Sequence, residues 1–199
     1  MSATFSLSHI TDMVALRLSE FPDCRRAVPA GSSAVSLATM IAVILEDAAV
    51  EITREAQLSD FSETTDMRTH IRTQSDWGEE RYAEVELPED FCRLAALRLR
   101  GWGATLNEEN PGDALRAGIC EEAPDWLAMR PMRPWLRLSR LEHTPTLRFG
   151  PPTGADPLEA AYIPIPRFDT DDEWLIGLDP ALLPRLIDRL TLILRSQND

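Results

Sequence analysis

Arg81-Tyr82-Ala83-Glu84-Val85-Glu86-Leu87-Pro88-Glu89-Asp90-Phe91-Cys92-Arg93-Leu94-Ala95-Ala96-Leu97-Arg98-Leu99-Arg100 decides the fold class of this chain. Tyr82, Val85 and Leu87 lead into Pro88, and beyond Phe91 the run Leu97-Arg98-Leu99-Arg100 alternates as a half-buried strand does. A helix is the rival reading: Pro88 followed by Glu89 and Asp90 makes a good first turn, and Leu94-Ala95-Ala96-Leu97 favours helix. The alternation tips the stretch towards strand. Gly101-Trp102-Gly103 stops either element. A strand here makes the fold α+β, because the segments on both sides read as helices.

Upstream, a first helix covers Ser8 to Glu20, with Ser8 as its cap and Ile10, Met13 and Val14 on one side; Phe21-Pro22-Asp23 ends it. A second begins at Ser32 or Ser33 and reaches about Leu58. Its stripe is Leu37, Met40, Ile41, Ile44, Leu45, Ala48, Ile52 and Ala56, at three- and four-residue steps. Residues 59 to 80 are rich in Ser, Thr, Asp and Glu and read as a loop or irregular acidic excursion. Downstream, residues 104 to 134 are turn-rich, with a short helix expected around Asp113 to Cys120. Trp135 to Leu141, Thr146 to Phe149 and Leu158 to Ile165 read as short strands. Pro164 and Pro166 donate no ladder hydrogen bond, so the last strand is an edge or leaves its sheet there. Asp179-Pro180 starts a closing helix with Leu182, Leu183, Leu186, Ile187, Leu190, Ile193 and Leu194 on its apolar face. Pro184 conflicts with the carbonyl of Pro180, which moves the regular helix start to about Pro184. The expected architecture is one domain over 1–199. Its N-terminal helices and C-terminal helix pack together as a helical core, about 8–58 and 179–195. A small antiparallel β region is inserted at about 81–168.

At 199 residues the chain can bury roughly 70% of the surface its unfolded form exposes. The formal charge is −13, and all 20 basic residues are arginine. Residues 46–90 hold 14 acids against 4 arginines, residues 91–149 hold 7 against 9, and residues 150–199 hold 9 against 4. A mildly basic middle thus lies between acidic flanks, a pattern through which neighbouring copies can attract. So acidic a chain is a poor candidate for gripping nucleic acid by phosphate neutralisation. No apolar run approaches the roughly 20 residues of a membrane helix, so a soluble cytoplasmic protein without membrane contact is expected. Cys24, Cys92 and Cys120 form no CxxC pair, and His9, His70 and His143 are dispersed, so neither a disulfide framework nor a zinc site is indicated.

Asp169, Asp171, Asp172 and Glu173 form the densest acid cluster, but the glycine and twelfth-position glutamate of a calcium loop are missing. It reads as a solvated loop, with weak cation binding as the sharper alternative. Glu79-Glu80 and Glu108-Glu109 read as surface pairs. No serine has a nucleophile-elbow context, and neither GxGxxG nor GxxxxGK[ST] occurs. The expectation is no enzyme, no cofactor and no metal. Tryptophan and arginine, the residues most enriched in interface hot spots, alternate within Trp126 to Arg140. The candidate interface is Trp126, Arg130, Arg133, Trp135, Arg137 and Trp174.

Several passages follow one another in a telling order: Leu45-Glu46-Asp47 in the second helix, Tyr82 to Phe91 with Leu87-Pro88-Glu89-Asp90-Phe91, Leu147-Arg148-Phe149-Gly150-Pro151-Pro152, Ala161-Tyr162-Ile163-Pro164, and Leu178-Asp179-Pro180. In that order the chain resembles the head-to-tail connector (neck adaptor) proteins of tailed bacteriophages and prophages over about residues 35–195. The resemblance implies a helical core with an inserted β region, copies arranged as a ring homo-oligomer, and portal or tail proteins as partners. It further implies DNA passing through the lumen without specific binding, residence in the host cytoplasm and then the virion, and no catalytic residues. The alternative is a small acidic cytoplasmic binding module of inhibitor or immunity type, gripping a basic partner through residues 46 to 90. A third reading, an enzyme using the acids at 169 to 173, has the least support.

Overall fold

The computed structural model describes residues 3–20, 36–74, 82–113, 133–140, 145–151 and 157–196. The chain forms two compact units: Met1–Glu63 with Ile165–Asp199, and Thr64–Pro164 inserted between them in sequence. Among the described residues there are four α-helices and three small antiparallel sheets, an α+β fold. One domain with a β insertion at about 81–168 was expected. Instead the inserted part is a unit with its own core, beginning at Thr64 and ending at Pro164.

In the first unit, β1 (Thr4–Ser6) runs directly into α1 (Leu7–Ser19). Ser6, not Ser8, is the N-cap: its Oγ accepts the His9 backbone N–H at 3.3 Å. The helix starts earlier than expected because Leu7 belongs to the core and its N–H donates to the Glu173 carbonyl at 2.9 Å. α2 (Leu37–Glu55) is capped by Ser36, whose Oγ accepts the Thr39 N–H at 3.2 Å. It ends at Glu55 rather than Leu58, since Ala56 and Gln57 are extended and Leu58–Asp60 forms a separate 3-10 turn. That turn is fastened by the Gln57 N–H donating to Asp60.

The closing segment behaves as its prolines dictate. Asp179 caps a 3-10 turn over Pro180–Leu182, and the α-helix α4 (Leu183–Ser196) follows. Pro184 then occupies the first α-turn, where a backbone N–H would have no intrahelical acceptor, so its missing donor costs nothing. Leu186, Ile187, Leu190 and Leu194 of α4 pack with Ile10 and Val14 of α1 and Ile41, Leu45 and Ile52 of α2. Each such side chain contributes roughly 1.5–3 kcal/mol on full burial.

Two strands the sequence reading missed complete this unit: β8 (Arg167–Asp169) and β9 (Trp174–Ile176) form a hairpin in the sheet order β1-β9-β8. Phe5, Leu175 and Phe168 lie in one cross-strand row and pack on the helical core.

The second unit contains β2 (Thr65–Asp66), α3 (Arg68–Gln74), β3 (Ala83–Glu86), β4 (Phe91–Leu99), β5 (Trp135–Ser139), β6 (Thr146–Gly150) and β7 (Pro157–Pro164). Its two sheets have the orders β2-β7-β4 and β3-β6-β5. The helix rival for 91–99 fails because nearly every β4 residue is buried, whereas an amphipathic helix would leave one side in water. Register shifts between Phe91/Arg93, Leu94/Ala96 and Arg98/Leu99 re-aim successive side chains along β4. β7 lies in the middle of its sheet and stops at Pro164, the outcome in which the strand leaves the sheet at proline.

Residues 59 to 80, expected as a loop, contain β2 and α3. Met67 and Ile71, four positions apart, enter the core beside Leu94, Leu97, Leu147 and Phe149. Gly112 is at φ +76° beside Trp135, and a Cβ there would lie 2.2 Å from the Pro134 carbonyl oxygen. Only glycine permits that approach. The helix expected around Asp113 to Cys120 lies outside the described residues, apart from Asp113 itself.

Candidate interface residues and their surroundings

Alternation along β5 sends Leu136 and Leu138 to the core with Leu147, Phe149, Val85 and Ala83, and sends Trp135, Arg137 and Ser139 to the opposite face. On that face Arg137 stands directly across from Arg148, and Arg148 from Glu84. Arg148 Nε donates to Glu84 Oε2 at 2.7 Å, and its guanidinium carbon lies 5.7 Å from the centre of the Tyr82 ring. This half-exposed row runs cation, cation, anion: the Arg148–Glu84 pair is worth at most about 1 kcal/mol, and the like-charged Arg137–Arg148 step works against it.

Trp135 is a correction. It was expected at a docking surface, but it is 0% exposed and its ring lies 6.5 Å from that of Tyr82. Its indole N–H, buried, has no acceptor among the described residues. Trp135 is therefore a packing residue. Arg133 and Arg137 are exposed, whereas Trp126 and Arg130 lie outside the described residues. Trp174 is 40% exposed on β9. Of the described candidates, Arg133, Trp135 and Arg137 belong to the inserted unit, and Trp174 to the helical one.

The acid cluster builds a turn. Asp169 Oδ1 accepts the N–H groups of Asp171 at 3.0 Å and Asp172 at 3.3 Å, and Glu173 adopts φ 56° to close the β8–β9 hairpin. Among the described residues no group of three His, Cys, Asp or Glu side chains converges as a metal site.

A buried ionic network escaped the sequence reading. Arg93 is 7% exposed, and its Nε and Nη2 donate to Glu108 at 3.3 Å and Glu109 at 3.2 Å. Arg140 pairs with the other oxygen of Glu108 and also donates to the Cys92 carbonyl at 2.9 Å. Glu108-Glu109, expected as a surface pair, clamps the loop after β4 onto that strand. The available signal was Arg93 itself, a cation between Cys92 and Leu94 in a run otherwise destined for the interior.

Two carboxylates and one phenol are tuned by their partners. Asp179 is partly desolvated, which raises its pKa, but hydrogen bonds from Ser62, Ala181 and Glu63 outweigh that and hold it below the usual carboxylate value. The Ser62 N–H and hydroxyl reach Asp179 Oδ2 at 2.6 and 2.8 Å. Asp66 is held low by a bidentate hydrogen bond from Arg68. Asp90 accepts the Tyr162 hydroxyl at 2.9 Å, and burial together with that bond pushes the phenol up to about 12. All these groups are engaged in fastening the chain to itself.

No protein-family model, curated protein or solved structure matches the chain. Among the described residues no helix is long and apolar enough to cross a membrane.

Proposed function

We propose that the protein is a structural virion component of a tailed bacteriophage or prophage, a head-to-tail connector that assembles as a ring around the DNA passage. The observation that supports this best is the discontinuous helical unit: α1 and α2 share their core with α4, which arrives only after a complete β unit has been inserted. That is the organisation the resemblance implies. The passages that carry the resemblance fall at structural joints. Leu87 to Phe91 makes the β3–β4 turn, with the Phe91 N–H donating to the Pro88 carbonyl at 2.9 Å. Ala161 to Pro164 ends β7 where the inserted unit stops, and Leu178-Asp179-Pro180 forms the cap before α4.

A net charge of −13 suits a wall past which DNA slides, since such a surface repels phosphates rather than holding them. An acidic module gripping a basic partner through residues 46 to 90 is less well supported, because much of that acidity is used internally. Glu46 accepts the Phe168 N–H, Glu51 pairs with Arg189, Asp60 with Arg185, Asp66 with Arg68 and Glu84 with Arg148. The decisive experiment is light scattering after size exclusion, with and without a portal protein, followed by electron microscopy of the assembled fraction. Rings, alone or on the portal, are the expected result. A chain that stays monomeric in both conditions overturns the reading.

A further inference from the structure

Six large apolar side chains are exposed among the described residues, and three of them sit on strands: Trp174, Ile176 and Leu158. Trp174 and Ile176, 40% and 41% exposed, flank buried Leu175 and so share the outward face of the β1-β9-β8 sheet. Their cross-strand neighbours are Thr4, Ser6, Arg167 and Asp169. The adjoining turn carries Asp171, Asp172 and Glu173, all exposed. Its shape is held by the Asp169 hydrogen bonds and by the Leu7 N–H on the Glu173 carbonyl, so little ordering remains to be done on binding. The first patch is therefore apolar at its centre, acidic at one end and preorganised.

The third residue belongs to a patch of opposite sign. Leu158, 48% exposed, is the extra residue of β7 where its register with β4 shifts at Arg98/Leu99. Arg98 and Arg100 are exposed at the same end of β4, and neither forms an ion pair with a described residue. Among the described residues Glu159, directly across from Arg98, is an exposed carboxylate there, and it accepts the Thr105 hydroxyl at 2.9 Å.

We propose that the outward face of the β1-β9-β8 sheet, centred on Trp174 and Ile176 with its acidic turn, docks on the Leu158, Arg98 and Arg100 patch of a second copy of this chain. This rests on the self-assembling reading above and names its contact surfaces. Charge complementarity selects the occupant. Turn against turn would oppose acids, and arginine patch against arginine patch would oppose cations, so a symmetric contact of either patch with itself is disfavoured. The pairing is heterologous, each copy offering one patch and receiving the other, the kind of contact that builds a ring when its rotation closes. Tryptophan and arginine are the side chains that carry most energy in such contacts.

The test uses two full-length variants, Trp174→Ser/Ile176→Ser and Arg98→Glu/Arg100→Glu, in sedimentation velocity beside the unaltered protein. Each variant is expected to self-associate about 30-fold more weakly or worse. Mixed in equal amounts they are expected to form a one-to-one dimer, because each keeps the patch that the other lacks. A third variant, Asp171→Arg/Asp172→Arg, is expected to lose assembly and to regain it when Arg98→Glu/Arg100→Glu is added to the same chain. Circular dichroism checks folding, and since the first two variants alter different units, misfolding of one leaves the other informative. If the unaltered protein assembles and the variants assemble equally well, or their mixture stays monomeric, the docking surfaces are wrong while the ring reading stands. If the unaltered protein assembles neither alone nor with a portal protein, the ring reading itself falls.

Discussion

The helical unit and the inserted β unit solve the same problem, polar groups inside an apolar core, in different ways. In the helical unit the buried polar side chains Thr53 and Thr191 donate to carbonyls one turn back in their own helices, Ala49 at 2.8 Å and Ile187 at 2.7 Å. Its charged groups remain outside, where Arg17 joins α1 to Asp188 of α4, Arg189 joins α4 to Glu51 of α2, and Arg185 reaches Asp60. In the β unit a cation goes in: Arg93 donates to Glu108 and Glu109, more than a dozen residues away. A helix offers local acceptors at i−4, whereas a strand's carbonyls are committed to its neighbours. Buried polarity in the β unit therefore depends on tertiary structure, and the two units should respond differently to substitution.

The largest effects are expected in the two apolar cores. Leu45→Ala and Leu97→Ala should each cost about 2–5 kcal/mol, measured by denaturant unfolding. Hydrogen exchange sharpens the contrast: Leu45→Ala should speed exchange in α1, α2 and α4, and Leu97→Ala in β4 and β7. Uniform acceleration throughout the chain would show that the units unfold as one. Next comes Arg93→Met, expected to cost about 2 kcal/mol because it removes one of the two cations on partly buried Glu108, leaving half-exposed Arg140. Adding Glu108→Gln should recover part of that loss, and a double variant less stable than the single one would break the account.

Asp179→Ala should cost about 1–2 kcal/mol by removing a cap that also holds Ser62. Because the folded pKa of Asp179 is depressed, its contribution is present above the ordinary carboxylate value near 3.8 and is lost as pH falls through the lowered one. Acid titration of the Asp179→Asn variant should lack that component. Tyr162→Phe should cost about 1 kcal/mol at neutral pH. The raised phenol titration works in the other direction: its stabilisation is intact below 10 and disappears as pH rises towards about 12, a loss absent from the Phe variant. Smallest is Arg189→Ala, worth under about 1 kcal/mol and weakening in high salt, since the Arg189 and Glu51 side chains are 39% and 41% exposed.

The long helices and the middle strands were legible in the sequence because their apolar spacing extends over many residues. α2 shows its stripe through five turns, and β5 and β6 end at prolines and polar turns. α3 was missed because its seven residues hold one large apolar side chain, Ile71, with Met67 just before them, amid threonines and charges. β1, β8 and β9 have three residues each, too few to display alternation, and β1 finds its partner β9 about 170 residues later in the chain. Of the proposed interface, Trp174 was legible as an exposed aromatic beside an acidic turn. Trp135 misled, because alternation states which face a side chain takes and not whether something covers that face.

By itself the sequence determined what is local: the amphipathic stripes of α1, α2 and α4, the Asp179-Pro180 start, the stop at Pro164 and the overall negative charge. Each follows from side-chain spacing or from the geometry of a single residue, which neighbours a few positions away suffice to fix. Only the tertiary structure decided that β1 closes on β9, that Arg93 is inside and Trp135 covered, and that Trp174 and Ile176 face outward together. Those outcomes depend on which distant segment supplies the hydrogen bonds, the counter-charge or the cover, and local periodicity carries no information about that partner.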